Sequence, residues 1–338
     1  MFHSNTHVLK CDYGLLNGFV SMGAIAMTGF FLLSGYALNL STARKDISNI
    51  KEIKFFYLKR MISILPLYYA YAIVNVLINI TTKWPTKNFE ELILFPIETL
   101  GIQSVYSTLF PFSHNGGSWF ISCILICYFV FPLLNILTRE LSDKNRIITI
   151  IVLSIILLYS PLVQHVFHLQ TLYSNPFFRL LEFSIGMLVC QLNINMSSNN
   201  KLIHYLRNRL ACICSILTLI GGVSIAHHLG IPHDYMLYSW VALPCFISLL
   251  ISLGYIRFER LKKTKIIHYL SALSFSIFLS QIIIVWHIVK KTMDYVNCDI
   301  NIIKILMSAA FCFIIANVFH YCIEKPSSKY LKAKFLKL

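Results

Sequence analysis

Nine apolar runs, each about as long as a bilayer is thick, dominate this sequence of 338 residues. A hydrocarbon core of about 30 Å is crossed by about 20 residues of α-helix. Backbone polar groups find no water inside a bilayer, so such runs must be helical. The sequence therefore predicts an all-α, polytopic membrane helix bundle whose nine full transmembrane helices lie at residues 18–40, 62–80, 119–137, 147–163, 177–193, 210–226, 235–256, 267–288 and 302–323.

A further apolar stretch, residues 92–112, is not predicted to span the membrane. Pro96, Glu98, Gly101 and Pro111 interrupt it. Prolines and glycines break long helices, so the stretch is predicted to be interfacial or re-entrant.

The composition excludes several classes of protein. Hydrophobic residues make up 57% of the chain and charged residues 13%, whereas soluble domains carry about 25% charged residues. A soluble domain of this size could not bury so much apolar surface. Cytosolic enzymes, nucleic-acid modules and secreted disulfide scaffolds are therefore excluded.

The basic residues predict the orientation of the helices. The chain has 29 Lys and Arg against 14 Asp and Glu. Basic residues concentrate in cytoplasmic loops, and 22 of the 29 lie in loops that the nine spans place on one side. That side is predicted to be cytoplasmic, with the C-terminus inside and residues 1–17 outside. The excess charge thus reflects topology and gives no reason to expect nucleic acid.

Two basic residues follow each other where the second span begins. Lys59 and Arg60 precede a helix that contains Pro66. They act either as a positive-inside anchor beside a proline kink or as a cationic site for the phosphates of a cytoplasmic donor.

Two charges stand inside a predicted span, where each costs roughly 2.5–3.5 kcal/mol on insertion scales. Arg179 and Glu182 are three residues apart, so they share a helix face and can pair. They form either a functional site or a structural ion pair. Trp119 opens another span after Gly116 and Gly117, as an interfacial belt residue or as a ligand contact.

Histidine and cysteine give weaker signals. Most histidines fall in outer loops without a matching carboxylate cluster, so a zinc site is only weakly signalled and no metal ligands are assigned. Cys11 and Cys298 are both predicted to lie outside, where they either pair in an oxidising compartment or remain thiols.

Five segments, taken in order, resemble the integral-membrane acyltransferase-3 family, whose members O-acylate cell-surface glycans. They are FFLLSGYALNLS (30–41), FYLKRMISILPLYYAYAI (56–73), GGSWFISCILICYFVFPLL (116–134), NPFFRLLEFSIGML (175–188) and HYCIEKPSSKYLKAKF (320–335). The resemblance implies a single acyltransferase domain over residues 1–338 in the bacterial cytoplasmic (inner) membrane. It also implies an acyl group, usually acetyl, that passes from cytoplasmic acetyl-CoA to a hydroxyl of a cell-surface or lipid-linked sugar. Acetyl-CoA, or another acyl-CoA, is then a co-substrate, and no bound cofactor is expected.

The resemblance also bears on the start of the chain. The family's first helix carries an Arg and, about ten residues later, a His near its outer end. His3 fits that histidine best, with His7 as second choice, while the matching Arg would precede Met1. The chain is therefore expected to be N-terminally truncated, with nine full helices plus the remnant of a first. Gln281 stands where many relatives have His, so it is given no catalytic role.

These residues suggest a mechanism. His3 would serve as general base or transient acyl carrier, Arg60 and Lys59 would bind donor phosphates, and Arg179 would stabilise an oxyanion or hold Glu182. Trp119 would stack on the sugar or the donor. The alternatives are a transporter or flippase of lipid-linked sugars, a glycan polymerase, and an inactive truncated form. A transporter would show internal repeats, and a polymerase would show a large charged outer loop. The sequence has neither feature.

Overall fold

A computed structural model describes residues 9–43, 47, 49–82, 88–105, 116–169, 172–194, 205–231, 239–256, 264–283 and 288–336. Every regular element in these ranges is helical, which confirms the all-α prediction. Helices α1 to α13 are Asn17–Ser21, Ala26–Thr42, Ile50–Thr82, Asn88–Leu100, Trp119–Arg139, Asp143–Val166, Pro176–Ile194, Arg209–His228, Ser239–Tyr255, Lys265–Ile283, Lys290–Val296, Asn301–Phe319 and Lys325–Phe335. A π-helical turn, His320–Glu324, joins α12 to α13.

Seven helical stretches in the described residues are long and apolar enough to cross a membrane: Gly23–Thr42, Ile50–Ile78, Trp119–Arg139, Asp143–Val166, Pro176–Ile194, Arg209–His228 and Asn301–Phe335. The chain is thus a multi-pass membrane protein. The predicted count of nine is not confirmed. Two of the predicted runs are described only in part: run 235–256 contains the shorter apolar helix Trp240–Tyr255, and run 267–288 overlaps α10, with residues 284–287 outside the described part of the chain.

The interrupted stretch at 92–112 forms no span in its described part. It consists of α4, which contains Pro96, followed by a 3₁₀ turn at Gln103–Val105. Gly101 separates the two with a positive φ of 68°, a conformation that glycine adopts without strain. Residues 106–115 lie outside the described part of the chain.

The chain divides into two compact units. The first comprises residues 1–14, 54–125 and 259–338, and the second comprises residues 15–53 and 126–258. In the first unit, the Tyr71 ring stacks on Phe319 with 4.1 Å between ring centroids, and its hydroxyl lies 3.1 Å from the Ser276 hydroxyl. These contacts join α3, α10 and α12.

In the second unit, α2 and α7 approach each other with their backbones almost in contact. A Cβ atom on Gly35 would lie 2.0 Å from the Phe183 carbonyl oxygen, and one on Gly186 would lie 1.9 Å from the Leu32 carbonyl oxygen. Neither distance is sterically possible, so only glycine fits at both positions. Small residues let transmembrane helices pack this closely. The close approach brings the side chains of α2 against the first two turns of α7.

Candidate functional site

A buried polar network joins α2 to α7 in the second unit. The Arg179 Nη1 donates a hydrogen bond of 2.7 Å to Glu182 Oε2, so the two residues pair as their spacing predicts. The Thr28 hydroxyl donates to the other carboxylate oxygen, Oε1, at 2.8 Å. It also lies 3.4 Å from Arg179 Nη1. Thr28 therefore completes a three-residue network in which both carboxylate oxygens accept a hydrogen bond.

The start of α7 explains why Arg179 takes this position. Asn175 precedes the helix and its side-chain oxygen accepts a hydrogen bond from the Phe177 N–H at 2.9 Å, while Pro176 occupies the first helical position. Both are preferred residues at a helix N-terminus. The Arg179 Nε then reaches back to the Tyr173 carbonyl oxygen at 2.8 Å. Arg179 is thus fixed by the segment before the helix as well as by Glu182.

Aromatic rings close the network on two sides. The Arg179 guanidinium carbon lies 5.3 Å from the centre of the Phe31 ring and 5.0 Å from that of Tyr173. Guanidinium groups are attracted to ring faces at such distances. The side chains of Arg179 and Glu182 are 0% and 2% exposed. In this conformation the pair holds α2 to α7, and a substrate reaches the guanidinium only if the network opens.

Lys59 and Arg60 lie on α3, at the end that the charge pattern predicts to be cytoplasmic. Lys59 is exposed, whereas Arg60 is half-buried with its guanidinium carbon 5.5 Å from the centre of the Phe56 ring. Consecutive helical residues point about 100° apart. The two side chains therefore do not point at one common phosphate position, and Lys59 is the more accessible of the two to a phosphate group.

Trp119 begins α5, as predicted, but it is 5% exposed. The 3₁₀ turn Gln103–Val105 binds the start of this helix, since the Ser104 hydroxyl donates to the Trp119 carbonyl oxygen at 3.1 Å. The Gln103 side chain donates to the Ser118 hydroxyl at 2.7 Å. Trp119 is therefore packed inside the first unit, which is not the environment of an interfacial belt residue.

His3 and His7 lie outside the described residues. Among the described residues, no group of three or more His, Cys, Asp or Glu side chains is arranged to hold a metal ion. Cys11 and Cys298 contribute to one apolar cluster with Leu9, Val289 and Met293, and the structure has both as thiols.

A histidine–glutamate pair lies at the end of the last span, and sequence reasoning did not identify it as a site. The His320 Nδ1 is 2.8 Å from Glu324 Oε2, and both side chains are half-buried. They lie in the π-helical turn, a feature frequently found at functional sites. A carboxylate that orients an imidazole is a common acid–base arrangement. The signal that was available is the four-residue spacing of a His and a Glu on one helix face.

The comparison with known families agrees with this membrane architecture. The family model for an acyltransferase domain, Acyl_transf_3, matches residues 1–321 of the 338. No curated protein and no solved structure matches the chain. Because the family model covers nearly the whole chain, the protein belongs to the acyltransferase-3 family and is an acyltransferase.

Proposed function

We propose that this acyltransferase moves an acyl group, most simply acetyl, from acyl-CoA to a hydroxyl of a cell-surface or lipid-linked glycan. The observation that carries the proposal is the network of Arg179, Glu182 and Thr28, buried in a chain of the acyltransferase family. Ionisable residues within a membrane helix are costly to bury, so they form a functional-site hypothesis by default. The proposed location is the bacterial cytoplasmic membrane, with the C-terminus on the cytoplasmic side.

The reaction needs a base and a stabiliser of negative charge. The acceptor hydroxyl oxygen attacks the thioester carbonyl carbon while a base removes the hydroxyl proton. The resulting tetrahedral oxyanion collapses, the C–S bond breaks, and coenzyme A leaves as a thiol after taking up a proton. An imidazole suits the base because its unperturbed pKa is near neutrality, about 6.5. His3 is the proposed base, and Arg179 is the proposed oxyanion stabiliser or the residue that positions Glu182.

The remaining assignments concern binding. Lys59 and Arg60 are proposed to attract the donor phosphates, since Lys59 is exposed at the end predicted to be cytoplasmic. Trp119 is proposed to contact the sugar or the donor. Because the Trp119 side chain is 5% exposed, this contact requires the residues packed around it to move.

His320 is a second candidate for the base. Glu324 orients its imidazole, and the pair lies at the end of the last span near the basic tail. If His320 accepts the proton, its removal should lower the turnover number and leave donor affinity unchanged. Comparing His3→Ala with His320→Ala therefore distinguishes the two bases.

The test is a transfer assay with the purified full chain in liposomes, using acetyl-CoA labelled in the acetyl group and a surface glycan. Label should appear on the glycan, and Arg179→Lys should lower turnover at least tenfold because lysine lacks the planar fork. Arg207→Lys is the matched control, since Arg207 in the same unit also binds a backbone carbonyl oxygen, that of Leu192, at 2.8 Å.

Each result bears on the proposal. Arg179→Lys with unchanged turnover would contradict the role of the network, and full transfer by His3→Ala would remove His3 as the base. Movement of a lipid-linked sugar without transfer of label would instead support a transporter.

A further inference from the structure

A mostly apolar cleft of about 570 Å³ lies in the first unit, between the first part of α3 and the last turn of α13. Leu58, Met61, Phe335 and Leu336 provide much of its apolar lining, and Lys54 is the charged residue among the described lining residues. Ligand pockets usually measure about 300–1,000 Å³. The cleft is thus large enough to hold a ligand.

The two helical stretches that form the cleft run side by side. Tyr71 of α3 stacks on Phe319 at the end of α12, and the cleft brings the same two stretches together again at Leu58 and Phe335. At 1.5 Å per residue, these contacts are about 20 Å apart along α3 and about 24 Å apart along the stretch that ends in α13. The start of α3 and the end of α13 therefore lie at the same end of the first unit, which the charge pattern predicts to be cytoplasmic.

The cleft lies at the level where these helices leave the hydrocarbon core. The helical stretch Asn301–Phe335 has 35 residues, whereas about 20 residues cross the core. Lys304 and Glu324 are separated by about 30 Å of helix that carries no charged residue, which matches the thickness of the core. Helix α13 follows Glu324, so it extends beyond the core into the headgroup region.

Two ammonium groups lie at the cleft. Lys54 lines it, and the Lys334 Nζ lies 5.4 Å from the centre of the Phe335 ring, which forms part of the wall. Within the part of the chain that the structure describes, no carboxylate forms an ion pair with either lysine. Helix α13 carries four lysines and no acidic residue. Positive charge at headgroup level attracts anionic lipids.

The combination of apolar walls and ammonium groups indicates an amphipathic anion. Leu58, Met61 and Phe335 are partly exposed, and covering such apolar surface is favourable. Ammonium groups bind phosphate oxygens through charge-assisted hydrogen bonds. Acetyl-CoA has no long apolar chain to cover these walls, whereas a phospholipid has both an acyl chain and a phosphate.

We propose that this cleft binds an anionic phospholipid of the cytoplasmic leaflet. One acyl chain covers the apolar lining, and the phosphate contacts Lys54 and Lys334. The bound lipid joins the start of α3 to the end of α13. Lys59 and Arg60 do not belong to the described lining, so the lipid site is separate from the proposed donor site and does not depend on the proposed function.

The test measures lipid binding directly. The purified full chain is held in a sugar-headgroup detergent, which contributes no phosphate, and is titrated with phosphatidylglycerol that carries a fluorescent acyl chain, with binding followed by fluorescence anisotropy. A second arm uses phosphatidylcholine with the same chains, which has no net charge. The double variant Lys54→Gln/Lys334→Gln removes both ammonium groups. Lys290→Gln/Lys291→Gln is the matched control, because it removes two exposed lysines of α11 in the same unit.

The parent should bind phosphatidylglycerol at least tenfold more tightly than phosphatidylcholine, and raised salt should reduce that preference. The double variant should bind phosphatidylglycerol at least tenfold more weakly, since each basic residue near an anionic lipid contributes roughly fivefold to affinity. The control should bind both lipids as the parent does. Equal affinity of the parent for the two lipids, or parental affinity of the double variant for phosphatidylglycerol, would overturn the proposal. Displacement of the lipid by acetyl-CoA from the parent would assign the cleft to the donor and would also overturn it.

Discussion

Removing one partner of the Arg179–Glu182 pair should destabilise the protein more than removing both. Glu182→Leu leaves the guanidinium of Arg179 buried with its carboxylate partner gone, and Arg179→Met leaves the carboxylate in the same situation. Breaking a buried pair on one side typically costs about 3–5 kcal/mol, whereas replacing both members by apolar residues is often neutral. We therefore expect about 3–5 kcal/mol for each single variant and clearly less for the double variant.

The magnitude rests on the burial of the network and on the hydrogen bonds that a substitution would break. Arg179 is 0% exposed, and its guanidinium donates at 2.7 Å to Glu182 and at 2.8 Å to the Tyr173 carbonyl oxygen. The Thr28 hydroxyl also loses its acceptor when Glu182 is replaced. Because these groups are buried away from water, each lost partner leaves a polar group without a hydrogen bond.

The assay is reversible unfolding in mixed micelles, followed by circular dichroism as the fraction of denaturing detergent rises. Asp143→Asn provides the matched control. Asp143 and Arg146 pair at the same spacing and at a similar 2.8 Å, but Asp143 is 28% exposed. Asp143 keeps contact with solvent, and asparagine keeps an oxygen acceptor for Arg146, which is 6% exposed, so the control should lower the free energy of unfolding clearly less than either single variant does. A double variant as unstable as the sum of the single variants would refute the reasoning, since it would show no coupling between the two charges.

Three further predictions follow from packing, thiol chemistry and the histidine pair. Gly186→Ala should prevent stable folding, because its Cβ would lie 1.9 Å from a carbonyl oxygen. The control Gly221→Ala has nothing within 4 Å of its Cβ, so it should stabilise the protein by about 0.5–1 kcal/mol in thermal unfolding. Equal effects of the two substitutions on stability would contradict the close helix contact. Burial raises the pKa of the Cys11 thiol, so less of it is thiolate at a given pH than for an exposed cysteine. The rate of its maleimide labelling should therefore rise at a higher pH than the labelling rate of a small-molecule thiol. Equal labelling rates at every pH would contradict the burial of Cys11. His320→Ala and Glu324→Gln should each lower the turnover number more than they raise the KM for the donor. If both variants change only the melting temperature, the pair has a structural role alone.

The sequence predicted those features that depend on spacing along one helix. The three-residue interval of Arg179 and Glu182 places them on one helix face whatever the rest of the chain does, and they do pair. The apolar runs predicted the helical fold, and the breaks at Pro96 and Gly101 predicted that the stretch around them forms no full span in its described part. The predicted count of nine full-length spans stays unconfirmed, because only part of the runs at 235–256 and 267–288 lies in the described residues.

Other features lay beyond what a single sequence can reveal. Thr28 is 154 positions from Glu182, and the sequence does not show which residue the hydroxyl of a threonine in an apolar segment will bind. Trp119 stands at the predicted helix start, yet only the tertiary structure shows that it is 5% exposed. A polar cavity of about 150 Å³ is lined by Asn39, Asn135 and Gln191, which lie near the ends of helices distant in the sequence.

By itself, the sequence determined that this chain is helical, lies in a membrane and carries an ion pair within a span. These properties follow from local backbone periodicity and from the cost of exposing polar groups to lipid. The tertiary structure decided what surrounds that pair and where a polar cavity opens. The physical reason is the contact at Gly35 and Gly186, because only the close approach of α2 to α7 brings Thr28 and Phe31 against Arg179 and encloses its charge.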